Sequence, residues 1–186
     1  MNLLWEADVT VTRAINGMAG QNGFPDAVMI WISAAAIPLV VLAVACQWWV
    51  KSDRQGTRHV LVAAGLSFIL GLALNQIILL FVDRARPYAA GVSELLIAPS
   101  LDPSFPSDHA TAVFAVAATF ALNKMKHRAA WFGLAALAVA VSRVYVGTHY
   151  AGDVLGGAVS GAIAAVLVLF LYQRGTRIDR FVTNIL

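Results

Sequence analysis

Apolar residues run almost unbroken through five stretches of this 186-residue chain, and short polar segments divide them. A helix that crosses a bilayer needs about 20 mostly apolar residues. Residues 27–50, 59–82, 108–122, 129–146 and 150–172 are the candidates. The first contains Pro38, which a membrane helix tolerates when neighbours satisfy the freed backbone groups. The third is short, so it is expected to begin inside the preceding loop. The fifth carries Gly152, Gly156, Gly157, Gly161 and Ala164, small residues that let helix backbones approach closely in lipid. Residues 1–20 place Leu3, Leu4, Val9, Val11, Ile15 and Met18 among polar neighbours that include Glu6 and Asp8. This pattern predicts a short amphipathic helix, lying on the membrane surface or packed on protein. It lacks the continuous apolar core of a cleavable signal peptide. Internal repeats and low-complexity tracts are absent from the sequence. The expected fold is all-α: a polytopic membrane helix bundle of about five transmembrane helices plus an N-terminal interfacial helix, forming one domain over residues 1–186.

Composition agrees with this pattern. Hydrophobic residues make up 60% of the chain and charged residues 12%, with a mean hydropathy of +0.75. Soluble domains average about 45–50% apolar and about 25% charged. A disordered chain, a collagen-like repeat and a disulfide-stapled module are excluded. The single cysteine, Cys46, can form no intrachain disulfide, and neither a CxxC nor a Cys/His zinc pattern occurs.

The net charge of +3 bears on orientation rather than on nucleic acid; no nucleic-acid partner is expected, and membrane lipids are. Lys51, Arg54 and Arg58 follow the first stretch, Lys124, Lys126 and Arg128 the third, and Arg174, Arg177 and Arg180 the fifth. Nine of the thirteen basic residues thus fall on one side, whereas eight of the ten acids fall on the other with Arg13, Arg84, Arg86 and Arg143. The positive-inside rule puts the basic side in the cytoplasm. The N-terminus, the long connection 83–107 and the turn near 147–150 then face outward, and the C-terminus is cytoplasmic. Long loops in compact domains are often functional.

Ionisable residues in or beside membrane helices are costly and are candidates for function. Four clusters map to the outward side. Asp83-Arg84-Ala85-Arg86-Pro87-Tyr88 holds two arginines beside a proline that disfavours helix. They suit a phosphate, which guanidinium binds bidentately, or they snorkel to lipid head groups. In Pro103-Ser104-Phe105-Pro106-Ser107-Asp108-His109, Ser107 is a natural helix N-cap. The N–H groups behind it suit an anion, and His109 suits acid–base work; plain capping beside an incidental histidine is the alternative. Ser142-Arg143 demands either an anion or a carboxylate such as Asp102 or Asp153. His149 and Asp153 lie i, i+4 and share a helix face, so Asp153 could fix the imidazole tautomer and free the other nitrogen, or simply seal a helix end. Together the clusters describe an anion site with a nucleophile and an acid, which is what phosphoryl transfer requires.

Read together, these segments resemble the type 2 phosphatidic acid phosphatase superfamily. Its Ser-Arg-x5-His-x3-Asp element is complete at Ser142, Arg143, His149 and Asp153. Its Pro-Ser-Gly-His element appears as Pro106-Ser107-Asp108-His109, with Asp for Gly. Its Lys-x6-Arg-Pro element is partial: Arg86-Pro87 is present, but Leu79 occupies the Lys position. The motifs span 83–157. The FPSDHA form, Asn75-Gln76 and the RARPY segment are similar to the bacitracin-resistance type of undecaprenyl diphosphatase.

The resemblance implies hydrolysis of undecaprenyl diphosphate to undecaprenyl phosphate, recycling the cell-wall lipid carrier outside the cytoplasm. It implies a multi-pass protein of the bacterial plasma (inner) membrane whose site faces the periplasm or exterior. His149 would attack the terminal phosphorus and form a phosphohistidine, Asp153 would hold its ring, and His109 would serve as acid and then base. Arg86, Arg143, Ser107, Asp108, Arg84 and Ser142 would surround the phosphate, with Arg84 replacing the missing Lys. No metal or other cofactor is needed in this scheme; acidic clusters on the outward side are sparse, with Asp102 and Asp108 the exceptions. Phosphatases of phosphatidylglycerophosphate, phosphatidic acid or lipid A are alternatives, as is a non-catalytic lipid-binding protein with a degenerate site. Vanadium haloperoxidases resemble the same motifs but are soluble.

Overall fold

A computed structural model describes residues 3–185; positions 1, 2 and 186 of the expected domain, and the first two residues of its N-terminal segment, lie outside the described residues. Regular structure among them is entirely helical: α1 (Leu3–Asn16), α2 (Gly23–Cys46), a 3-10 turn (Gln47–Trp49), α3 (Arg54–Leu79), α4 (Asp108–Leu122), α5 (Lys126–Tyr145), α6 (Ala151–Leu171) and α7 (Arg177–Thr183). Asn22 caps α2 by accepting from the Phe24 N–H. Pro38 sits inside α2 without ending it. Of the described helices, α2 with its 3-10 extension, α3 and α6 are long and apolar enough to cross a membrane; α4 is a shorter apolar helix. The fourth candidate stretch forms α5, which runs for 20 residues but carries Lys126, Arg128 and Arg143.

The shortest of the five, α4, is the hub. It packs against α3, α5 and α6, and most of its side chains are buried. Small residues make this possible. A Cβ at Gly161 would lie 2.5 Å from the Thr111 carbonyl oxygen, and one at Gly157 2.5 Å from that of Ser107. The backbones of α6 and α4 therefore touch, as small-residue seams allow in lipid. From α3, Ser67 accepts a hydrogen bond from Thr119 of α4 at 2.9 Å. The outward faces of the bundle are apolar: Ile69, Phe81, Leu155, Val159 and Phe170 are all exposed. A surface this apolar is what lipid requires.

Two elements differ from expectation. α3 begins five residues earlier than the hydropathy pattern indicated, because Asp53 caps it and accepts from the Gly56 N–H. Arg58, read as a loop residue, is therefore helical and buried, donating to the Trp48 and Thr183 carbonyls. The polar tail, for which the hydropathy pattern predicts no element, forms α7. Asp179 of α7 meets His59 at 2.9 Å, Tyr172 Oη at 2.7 Å and the Gly175 N–H at 2.6 Å. At the opposite end of the bundle, α1 docks on α5 and α6. Thr12 and Asn16 are buried there, while Leu3 and Leu4 face out, 81% and 79% exposed. The packed-on-protein reading thus holds for one face of this helix, and an apolar face stays exposed.

Candidate active site

The connection 83–107, the N-termini of α4 and α6 and the C-terminus of α5 meet at one end of the bundle. They enclose a cavity of about 270 Å³ lined by Arg86, His109, Arg143 and His149, with Gln76, Leu79, Asp102 and Asp108 on its wall. His149 sits in the turn between α5 and α6 and is 4% exposed. Its Nδ1 lies 2.8 Å from the Ser104 carbonyl oxygen, an acceptor only, so Nδ1 carries the proton and Nε2 keeps its lone pair. Nε2 faces Arg86 Nη1 at 3.4 Å.

Asp153 is fully buried on the first turn of α6. It accepts from the Ser104 hydroxyl, from the Tyr150 N–H at 2.8 Å and from Arg84 Nη1 at 2.6 Å. Its Oδ2 is 3.7 Å from His149 Nδ1, too far for a hydrogen bond. The carboxylate therefore acts on the imidazole electrostatically and through Ser104, rather than gripping it directly. Burial, with the charges of Arg143 and Arg86, pushes the His149 pKa below its ordinary value, against the opposing pull of Asp153.

The two cavity arginines have no carboxylate partner among the described residues. Besides His149 Nε2, Arg86 donates to carbonyls, those of Asp102 at 2.8 Å, Thr148 at 3.0 Å and Pro103 at 3.4 Å. Arg143 donates to the Ser33 hydroxyl, and its buried Nε is unpartnered. It pairs with neither Asp102 nor Asp153, the alternative that its sequence position left open. A buried cation without an acid is costly unless an anion arrives. Ser107 also has a buried, unpartnered hydroxyl; it occupies the N-cap of α4 but makes no side-chain cap. The first N–H groups of that helix point the same way as any helix start, free of intrahelical partners.

Three residues expected around the phosphate are engaged by other partners. Arg84 is turned away from the cavity, bridging Asp153 and Asp8 at 2.6 Å each, so it does not replace the missing Lys. Ser142 donates to the Val139 carbonyl at 2.8 Å and is spent inside α5. Asp108 lines the cavity but accepts from Asn75 Nδ2 at 2.7 Å.

Ser104, Gln76 and Asp8 were missed. Ser104 acts through a backbone carbonyl, which leaves no trace in residue type. Gln76 lies one helical turn before Leu79 and shares its cavity wall, a signal that helical spacing could have supplied. Among the described residues, no group of three or more His, Cys, Asp or Glu is arranged to hold a metal ion.

Asp108 and His109 also line a second cavity of about 230 Å³, walled by Ile37, Pro38, Phe68 and Leu72 between α2, α3 and α4. Phe68 in turn lines a wholly apolar groove of about 370 Å³ between α2 and α3, with Val41, Val44, Trp48 and Leu61. Apolar cavities thus lie next to the polar one, sharing Asp108, His109 and Phe68 as walls.

Residues 60–177 match the model of the PAP2 superfamily. Undecaprenyl-diphosphatase BcrC of Bacillus subtilis is 36% identical over 169 residues, covering 88% of this chain and 81% of that protein. Phosphatidylglycerophosphatase B of the same species is 32% identical over 162 residues, covering 80% and 72%. Among solved structures, the transmembrane PAP2-type phosphatidylglycerolphosphate phosphatase of B. subtilis superposes with a TM-score of 0.69 at 24% identity, covering 95% of this chain and 90% of that one.

Proposed function

The chain belongs to the PAP2 superfamily, and we propose that it hydrolyses undecaprenyl diphosphate to undecaprenyl phosphate through a phosphohistidine at His149, on the extracytoplasmic side of a bacterial plasma membrane. That it is a membrane lipid phosphatase follows from its relatives and its apolar helices. The observation that carries the finer reading is the pair of buried arginines, neither with a carboxylate counterion among the described residues, that line one cavity with the unprotonated Nε2 of His149.

The chemistry runs as follows. The terminal phosphate enters between Arg86 and Arg143, which bind its equatorial oxygens and spread its charge. His149 Nε2 attacks the phosphorus in line. The bond to the bridging oxygen breaks, and its electron pair leaves on polyprenyl phosphate, protonated by His109. The Ser104 carbonyl and the Asp153 charge stabilise the positive imidazole that results. His109, now a base, takes a proton from water, which displaces the phosphate from Nε2 and restores the histidine. The arginines supply the charge neutralisation that this sequence needs. The Ser107 hydroxyl is free to donate to the same phosphate.

A long-chain lipid is favoured by the apolar cavities that adjoin Asp108, His109 and Phe68. The identity of the head group is supported by the diphosphatase relative at 36%. A second reading, phosphatidylglycerophosphate, is favoured by the relative at 32%. Sidedness is supported by charge: nine basic residues cluster at the end remote from the site, as the positive-inside rule asks of a cytoplasmic face.

A substrate panel tests the proposal. Purified protein in liposomes is offered undecaprenyl diphosphate, undecaprenyl phosphate, phosphatidylglycerophosphate, phosphatidic acid and lipid A, and released phosphate is measured. The expected result is the highest kcat/KM for the polyprenyl diphosphate. Preference for phosphatidylglycerophosphate would move the assignment to the second reading.

A further inference from the structure

We propose that Asp8, on the N-terminal helix, is a positioning residue for phosphate transfer: acting through Arg84, it sets the placement of Asp153 and the charge felt by His149, a role that rests on His149 being the nucleophile. Asp8 Oδ2 holds Arg84 Nη2 at 2.6 Å, and Arg84 Nη1 holds Asp153 Oδ1 at 2.6 Å. The guanidinium between them lies over the Tyr150 ring at 3.9 Å and the Trp5 ring at 5.4 Å. It is thus gripped at both ends and stacked on its face.

The same helix closes the start of α6. Asp8 Oδ1 accepts from the Gly152 N–H at 2.7 Å, and the Thr12 hydroxyl accepts from the Ala151 N–H at 3.0 Å. These are donors that a helix start leaves unpaired, and they immediately precede the residue that carries the orienting carboxylate. The fit is close: a Cβ at Gly152 would lie 2.7 Å from Asp8 Oδ2. Asp8 itself lines no wall of the catalytic cavity, so substrate does not touch it.

Electrostatics give the contact a consequence beyond packing. His149 faces Arg86 from the 83–107 connection, Arg143 from α5, His109 from α4 and Asp153 from α6. The row Asp8, Arg84, Asp153 carries one net negative charge, which offsets part of the arginine field. Neutralising Asp8 leaves Arg84 and Asp153 as a cancelled pair. The imidazolium state of His149 is then less favoured, and so is the positively charged phosphohistidine.

The test measures kcat, KM and the acid limb of kcat/KM on undecaprenyl diphosphate in liposomes for Asp8→Asn, Asp8→Glu, Arg84→Gln and Gly152→Ala, with Glu6→Gln as the control. Glu6 is exposed on the same helix and outside the row. Loss of an outer partner of a reactive imidazole costs on the order of tenfold. Asp8→Asn should therefore lower kcat about tenfold, change KM less than about twofold and move the acid limb to lower pH. Arg84→Gln should move the limb to higher pH. Gly152→Ala should act like a weaker Asp8→Asn, and Asp8→Glu should return the limb to the wild-type position. Opposite shifts in two variants cannot come from substrate ionisation, which all share, nor from a smaller folded fraction. Wild-type kcat and limb in Asp8→Asn overturn the proposal, as does activity lost in Asp8→Asn and Asp8→Glu alike with an unmoved limb. A wild type that releases no phosphate overturns the enzyme assignment and this role with it.

Discussion

Arg143→Met separates a substrate-binding cation from a structural one. Arg143 is 8% exposed, donates to Ser33 and leaves Nε without a partner. Methionine has a similar reach and no charge, so the change removes the cation while keeping most of the volume. A hydrogen bond to a charged group contributes roughly 1.5–3 kcal/mol, and 1.4 kcal/mol is about a factor of ten in affinity. Orthovanadate, a phosphate mimic, should therefore inhibit Arg143→Met with a Ki raised about 10- to 100-fold. Stability should move differently. Removing a buried cation that has no acid relieves a desolvation cost, and the freed Ser33 hydroxyl can turn to a carbonyl of its own helix. The Tm without ligand should not fall, and the vanadate-induced rise in Tm should shrink. Differential scanning fluorimetry in detergent reads both quantities. An unchanged Ki, or a large fall in Tm without a change in Ki, would refute the view that Arg143 waits for an anion.

Other consequences follow from packing and protonation. Gly157→Val forces α6 off α4, because the new Cβ meets the Ser107 carbonyl at 2.5 Å and Ala110 Cβ at 3.0 Å; overpacking of this kind costs about 1–3 kcal/mol and should lower the Tm. Gly65→Ala meets nothing within 4 Å and should gain about 0.5–1 kcal/mol from helix propensity. Neutral imidazole is the attacking form, and burial together with Arg143 and Arg86 holds His149 below its ordinary pKa. The acid limb of kcat/KM for the wild type should therefore lie below about pH 6.5, and a limb above that value would contradict the site's electrostatics. At the far end of the bundle, burial raises the Asp179 pKa, but bonds from Gly175, His59 and Tyr172 outweigh it and leave the carboxyl below its usual range. Asp179→Asn should free α7, which limited trypsinolysis would detect as faster cleavage at Arg177 and Arg180.

The helices were legible because lipid-facing and core-facing positions are both apolar here, so each span reads as one run. The bounds of α4 agree with the stretch 108–122. Hydropathy gave the wrong start for α3, since residues 54–58 are largely polar by type, although Arg58 is buried against α7. Only tertiary contact makes that burial affordable. In the site, His149 and Asp153 were linked by their i, i+4 spacing, and Arg86, Arg143 and His109 by falling on one side of the membrane. Spacing could not reveal that the direct partner of His149 is the Ser104 carbonyl. Nor could it pair Asp8 with Arg84, 76 positions away. Arg84 was expected to replace the missing Lys, and its i, i+2 spacing from Arg86 in an extended segment predicts a shared side; the contacts to Asp8 and Asp153 that hold it instead come from distant parts of the chain.

The central claim is a covalent bond between His149 Nε2 and phosphorus. Its most direct test is to quench turnover of undecaprenyl diphosphate within milliseconds in alkali, which preserves phosphohistidine, and to map the added phosphate by mass spectrometry. The account predicts phosphate on the peptide containing His149, none on His109, and neither label nor turnover in His149→Ala. Continued turnover by His149→Ala, or label on another residue, would contradict it.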